Sequence, residues 1–207
     1  MFPDLARDDV FRLETRRLWL RWPRAADSVA IERYSSRWEV AKMTARIPHP
    51  YPAGEAERFI FTAREANALG RDLILVITPI RGKRDPLGMI SLESRREGRL
   101  TLGYALAPEM WGKGLATEAA SAAINAGFAL TNAVEMLATA HVENPASRRV
   151  LEKCGFAHMG SGLEGAPARG GMVPCDRFRL ERSAWTSRRA APEPGDPARA
   201  EGQRAQP

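Results

Sequence analysis

The sequence predicts a mixed α/β layer fold: a mostly antiparallel sheet of seven strands, helices on both of its faces, and one β-α-β crossover. Three observations predict it. Alternating or β-rich apolar runs recur at 16–22, 72–80, 86–94, 99–107, 136–142, 156–162 and 172–185. Stretches with helical apolar spacing follow the first run and flank the fifth. The turns RGKRD (81–85) and RREG (95–98) are too short to join anything but antiparallel neighbours.

Along the chain the predicted order is β-α-α-β-β-β-α-β-α-β-β. In RRLWLRW (16–22), Leu18, Leu20 and Trp22 share one face of a strand. Asp27 is a candidate N-cap for a helix over 28–43. RIPHPYP (46–52) is a proline-punctuated loop. In 55–69, Phe59, Ile60, Ala63, Ala66 and Leu69 recur at helical spacing. DLILVITPI, PLGMISLES and RLTLGYALA then form a meander, which Pro108 ends. Ala116, Ala120, Ala123, Ile124, Gly127 and Phe128 mark a helix face small enough to pack close against a sheet. MLATAHV (136–142) is a strand. Asn144 as N-cap, Pro145 at the first helical position and Gly155 as stop delimit the next helix. FAHMGSG (156–162) and MVPCDRFRLERSAW (172–185) are closing strands around a Gly-rich loop (160–171). Residues 1–10 are expected to be a flexible arm, 11–186 a single domain, and 187–207 a disordered tail without an aromatic residue.

Composition narrows the function classes. The formal net charge is +6, with Arg far outnumbering Lys, which suits an anionic ligand. Basic residues form no block interleaved with aromatics, so nucleic acid is not an expected partner. No apolar run approaches the ~20 residues needed to span a membrane, and MFPDLARDDVFRLE lacks the layout of a signal peptide. Cys154 and Cys175 fit no paired or metal-binding spacing, and the three histidines (His49, His141, His158) are scattered. A cytoplasmic protein without a metal is the expectation.

MWGKGLATE (110–118) carries the chemistry. Gly112 and Gly114 permit backbone angles barred to other residues and let a ligand approach the chain. The N–H groups from Gly112 to Thr117 open a helix and lack intrahelical acceptors, which makes an anion site; Lys113 adds charge. A plain strand-to-helix turn uses the same glycines. Two phosphate motifs fail: a P-loop requires glycine where Ala107 stands, and a dinucleotide fingerprint requires glycine where Thr117 stands.

The context is more specific. LTLGYALAPEMWGKGLATEAASAAINAGFA (100–129), followed by ATAHVENPASRRVLEKCGF (138–156), resembles the GNAT superfamily of acyl-CoA-dependent N-acyltransferases, and within it the branch of Rim-type ribosomal-protein N-terminal acetyltransferases. The resemblance covers roughly 13–185. The family motif Arg/Gln-x-x-Gly-x-Gly/Ala falls on Trp111, Gly112, Lys113, Gly114, Leu115 and Ala116, with Trp111 in place of the usual Arg/Gln. The resemblance implies acetyl-CoA as cosubstrate, its pyrophosphate on the amides of Gly112 to Thr117. It implies a pantetheine arm along Tyr104, Ala105 and Leu106, in a gap between the 99–107 and 136–142 strands, with an N–H near Leu106 as oxyanion donor. Asn144 matches the position that bonds the pantetheine arm, and Ser147 the residue near the CoA sulfur that is the candidate general acid. Each also has a local explanation, as N-cap and first-turn polar residue.

An amine must lose a proton to attack. The Rim-type glutamate falls near Ala166 here, so that match fails; Glu164 and Glu93 are the candidate bases. Glu118 reads as a favourable charge in the first turn of a helix. His49 and Tyr51, in the loop between the two early helices, are candidates for acceptor contact. The expected activity is acetyl transfer from acetyl-CoA directly to a primary amine, either a protein N-terminus or a small amine such as an antibiotic, polyamine or amino-acid derivative, by a monomer or homodimer. A non-catalytic acyl-CoA-binding module is the alternative.

Overall fold

The structure, a computed structural model, describes residues 2–190. Strands β1 (Arg12–Glu14), β2 (Leu18–Arg21), β3 (Asp72–Pro79), β4 (Gly88–Arg96), β5 (Arg99–Leu106), β6 (Glu135–His141), β7 (Ala157–Ala166) and β8 (Gly171–Glu181) form one sheet in the order β1-β2-β3-β4-β5-β6-β8-β7. Every neighbouring pair is antiparallel except β5 and β6. The helices are α1 (Asp4–Arg7), α2 (Ser28–Ser35), α3 (Trp38–Ala41), α4 (Glu55–Ala68), α5 (Leu115–Leu130), α6 (Pro145–Lys153) and α7 (Arg182–Ala190). This is the mixed, mostly antiparallel α/β fold the sequence predicts, with eight strands rather than seven. The additional strand, β1, is only three residues long and has no alternation to betray it.

Side-chain alternation divides the sheet into two apolar faces. On one, Leu73, Leu75, Ile77, Ile90, Leu92, Leu100 and Leu102 join Ala119, Ala120, Ala123, Ile124 and Phe128 of α5 in the main core. On the other, Val76 packs with Ile31 and Tyr34 of α2 and Ala56 and Ile60 of α4. The small face of α5 lets it lie close: a Cβ on Gly127 would stand 2.5 Å from Met136 Cε and 2.7 Å from Leu92 Cδ1.

Several expectations are corrected by local physics. The helix expected over 28–43 breaks at Ser36–Arg37, where Arg37 turns extended (ψ 124), its N–H donates to Tyr34 O, and the Ser36 hydroxyl donates to Arg33 O in its place. Asp27 precedes α2 without capping it by its side chain; its buried carboxylate takes two bonds from the Arg21 guanidinium and one from Arg24 N–H. Most of the expected 160–171 loop is strand, because β7 and β8 pair from Ser161–Asp176 to Ala166–Gly171 beyond a bulge. Only the Pro167–Arg169 turn remains at the tip. The expected arm at 1–10 is tied down: Phe2 is 2% exposed and its N–H donates to Gly70 O.

The closing strand ends at Glu181 rather than 185, and the expected disordered tail is helical up to Ala190. The Arg182 guanidinium donates to Phe128 O, Thr131 O and Ala133 O, at and just past the end of α5, where carbonyls lack helical partners. Trp185 stacks on Phe128 and donates to Asn125 Oδ1. The rest of the expected tail, 191–207, lies outside the described residues.

Replacing Gly127 with Val drives a branched side chain into Met136, Leu92 and Leu100. We expect a loss of about 1–3 kcal/mol of stability, read as a lower urea midpoint at unchanged slope.

Candidate functional site

Parallel pairing between β5 and β6 covers only Arg99–Glu135, Leu100–Met136 and Thr101–Leu137. Beyond Thr101 the two strands part while β5 stays paired to β4 as far as Leu106. The Ala107 N–H donates to Leu87 O on the β4 side, so strand alternation turns the backbone groups of Leu102, Tyr104 and Leu106 toward the gap. Of the three residues expected along the pantetheine arm, Tyr104 and Leu106 therefore face the gap. Ala105 turns its backbone to β4, where it pairs with Met89. The Leu106 carbonyl accepts from the Trp111 indole N–H at 2.9 Å, which leaves the Leu106 N–H directed into the gap.

The elbow follows at once. Gly112 and Gly114 both adopt left-handed angles (φ 73 and 74), and Gly114 is the N-cap of α5. Nothing would stand within 4 Å of a Cβ on Gly112, so the glycines answer to backbone angle rather than crowding. The elbow is exposed, and the N–H groups of Leu115, Ala116 and Thr117 in the first turn have no helical acceptor. Arg17, in the β1–β2 turn, donates from Nη1 to Lys113 O at 3.0 Å. Glu118 accepts from Thr15 Oγ1, Arg17 N–H and Arg17 Nε at 2.6, 2.8 and 2.6 Å. Burial works against its charge, but these bonds outweigh it and hold the carboxyl below its ordinary value. Glu118 is thus bound across the elbow, more than the dipole partner the sequence suggests.

The opposite wall of the gap is the start of α6. Asn144 caps it, its side chain accepting from Ser147 N–H at 3.0 Å. The Ser147 hydroxyl and the Tyr104 phenol share a hydrogen bond of 2.9 Å. Burial pushes the Tyr104 phenol well up despite that bond, so it is neutral and able to donate at any ordinary pH. Sequence reasoning assigned Tyr104 through its backbone and missed the side chain; a tyrosine in an apolar strand carries no signal of what its hydroxyl reaches across the sheet.

The two candidate bases are not brought together. Glu93, on β4, pairs across to Thr101, the last residue of the ladder before the gap. It is buried, ion-paired to Arg46 and 3.2 Å from Ser91 Oγ. Glu164 lies on β7, ion-paired to Arg177. Four strand spacings of about 4.8 Å separate β4 from β7, on the order of 20 Å. A cleft of about 830 Å³ opens beside Glu93 between α4 and the β3–β4 ladder, lined by Phe59, Thr62, Glu65 and Asp72 among others. No motif or spacing in the chain marks it.

The loop that leads to His49 and Tyr51 meets the tip of the β7–β8 hairpin. Ala168 N–H donates to Ala45 O at 3.0 Å, Arg169 donates to Ile47 O, and the Arg169 guanidinium lies 5.8 Å from the Trp38 ring centroid. His49 stands exposed beside Trp38, ring centroids 5.1 Å apart. Tyr51 packs against the α2–α4 cluster, and burial, then the nearby Glu55 carboxylate, pushes its phenol up to about 12. The thiols of Cys154 and Cys175 are both pushed up by burial, which disfavours the thiolate a covalent mechanism would use. Among the described residues no group of three or more His, Cys, Asp or Glu side chains is placed to hold a metal ion. Among them, too, no helix is long and apolar enough to cross a membrane.

Residues 17–157 match the model of the acetyltransferase (GNAT) domain, so more than half of the chain is covered and the chain belongs to that family. An uncharacterised N-acetyltransferase, YoaA of Bacillus subtilis (strain 168), is 30% identical over 82 residues, 39% of this chain and 46% of that protein. The chain thus matches less than half the length of this curated relative. The spermidine N-acetyltransferase of Vibrio cholerae, solved with CoA and spermine, superposes with a TM-score of 0.69 at 19% identity, over 83% of this chain and 99% of that one. RimL, a ribosomal L7/L12 alpha-N-protein acetyltransferase solved with CoA, gives 0.73 at 14%, over 84% and 99%. Identities this low speak to the fold alone.

A depressed carboxyl contributes stability above its unfolded value, about 4.3, and loses it as pH falls through the folded value. For Glu118 this means that the wild-type urea midpoint falls more steeply between about pH 5 and 3 than that of Glu118→Gln, in which this contribution is absent. Parallel curves would show that the Thr15–Arg17–Glu118 bonds do not matter to the folded state.

Proposed function

We propose that the chain is an N-acetyltransferase that moves an acetyl group from acetyl-CoA directly to a primary amine, in the manner of the Rim-type branch. The observation that carries this reading is the short β5–β6 ladder opening beside an exposed amide elbow. The N–H groups of Gly112 to Thr117, with Lys113 and Trp111 alongside, would hold the pyrophosphate. The pantetheine arm would lie against the free edge of Tyr104 and Leu106 as an added strand, with Asn144 beside it. The Leu106 N–H would meet the oxygen of the thioester as negative charge grows on it.

The amine nitrogen attacks the thioester carbon, the C–S bond breaks, and the sulfur leaves as thiolate. Ser147, bonded to Tyr104, stands as proton donor to that thiolate. Of the two candidate bases, Glu93 fits better as acceptor of the proton the amine gives up: it lies one strand from the gap, level with the end of the β5–β6 ladder, and lines the cleft beside α4, whereas Glu164 lies on the edge strand β7. His49 and Tyr51 flank the acceptor side. The acceptor is an amine, and a protein N-terminus is the reading we favour. A polyamine or other small amine is the second reading: three carboxylates, Glu65, Asp72 and Glu93, line the cleft against two arginines, Arg71 and Arg46, which pair with Glu65 and Glu93.

Isothermal titration with acetyl-CoA tests the first step. One-to-one binding by the wild type, lost in Gly114→Trp, is the expected result, because a side chain at φ 74 is strained and stands over the elbow. No wild-type binding would end the enzyme reading. Thiol release measured across peptide N-termini and polyamines then separates the two acceptors. We expect Glu93→Gln to lower kcat by about a hundredfold and Ser147→Ala by about tenfold or less, since a CoA thiolate is already a fair leaving group.

A further inference from the structure

The elbow has a charge problem that its own residues do not solve. Glu118 sits in the first turn of α5, where a carboxylate favours the helix but repels any anion held by the same N–H groups. Trp111 occupies the motif position usually held by Arg or Gln, and its only N–H donor on the side chain is committed to Leu106 O. Arg17 answers both deficits from the β1–β2 turn, almost a hundred residues earlier in the chain. Its Nε and backbone N–H bind the Glu118 carboxylate and its Nη1 binds Lys113 O. Its remaining nitrogen, Nη2, lies 3.6 Å from the position a Cβ on Gly114 would take, at the mouth of the elbow. The guanidinium side chain is 40% exposed, against 17% for Glu118, so the cation rather than the carboxylate faces the opening.

We propose that Arg17 is a binding and positioning residue for the CoA diphosphate: it masks Glu118, fixes the Lys113 carbonyl so that the elbow amides point outward, and presents Nη2 to a phosphate oxygen. This rests on the reading of the elbow as the CoA site. The planar fork matters, because one guanidinium serves the carboxylate, the carbonyl and the mouth together, and a lysine ammonium cannot span all three. An uncovered carboxylate about 6 Å from a phosphate, at the effective dielectric of a protein surface, weakens binding by about a hundredfold unscreened, and by about tenfold once physiological salt screens it.

The test is the dissociation constant of CoA and of S-acetylpantetheine, which lacks the diphosphate, for the full chain and three variants. We expect Arg17→Met to weaken CoA binding by about ten- to thirtyfold and to leave S-acetylpantetheine within about twofold of wild type. Arg17→Lys is expected to fall between. In Arg17→Met/Glu118→Gln, CoA binding recovers at least about threefold relative to Arg17→Met, because the exposed carboxylate is gone. That recovery is the sign that a purely structural role would not give: removing a second anchor of the elbow would weaken binding further. Equal loss of both ligands in Arg17→Met, no loss of either, or no recovery in the double variant overturns the assignment of Arg17 while leaving the elbow as the CoA site. Failure of the wild type to bind CoA removes the underlying site itself.

Discussion

Three pairs of residues hold β5 to β6, and the gap beyond them exists because there are not more. A parallel ladder demands a long crossover, here α5, and the crossover must begin at the end of one strand and return to the start of the other. The helix packs across β4 and β5 through its alanine face, so the strand that follows it re-enters the sheet beside the beginning of β5 and diverges from its end. Divergence leaves backbone groups of Tyr104 and Leu106 unpaired by strand, a cost a soluble sheet ordinarily avoids. The same groups become the surface on which an extended ligand can complete the ladder. One packing decision thus creates the gap and lines it with donors and acceptors at once.

The elbow depends on the same geometry. It closes the eight-residue connection, 107–114, from the end of β5 to the start of α5, and side chains fix it at both ends. Trp111 ties the incoming end to β5, and Arg17 ties the outgoing end to the β1–β2 turn. Between these ties the backbone is exposed, held and uncrowded, the condition in which amides can be presented without rearrangement when a ligand arrives. Across the gap, the Tyr104–Ser147 pair joins β5 to α6 and keeps polar hydrogens where the strands part.

Much of this was legible because it is local. The glycine pair, the small face of α5, the Asn144-Pro145 start of α6 and the meander each leave a mark within a few residues, and all were found. The failures are long-range. Nothing near Arg17 or Glu118 announces that they are partners 101 residues apart, and an acidic first turn has a sufficient local reason. The pairing of β7 with β8 through a Gly-rich stretch and the turn into α7 at Arg182 are decided by partners elsewhere. Glycines at 160, 162 and 165 suggested a loop because strand propensity is low there; ladder bonds to β8 supply what the side chains do not. For the two bases the difficulty is of another kind. Distance along the chain carries no information about which carboxylate borders the gap, and only the sheet order separates Glu93 from Glu164.

The bonds from Arg182 to the end of α5 reach back over 49 to 54 residues. The helix that opens at the elbow is therefore sealed at its far end by the first residue of the helix that follows the last strand. A ribosome extrudes the elbow, the gap strands and α6 before it extrudes that seal. During synthesis the carbonyls of Phe128, Thr131 and Ala133 are left to water until Arg182 emerges. This one helix starts at the elbow, and its far end finds side-chain donors only about fifty residues later in the chain.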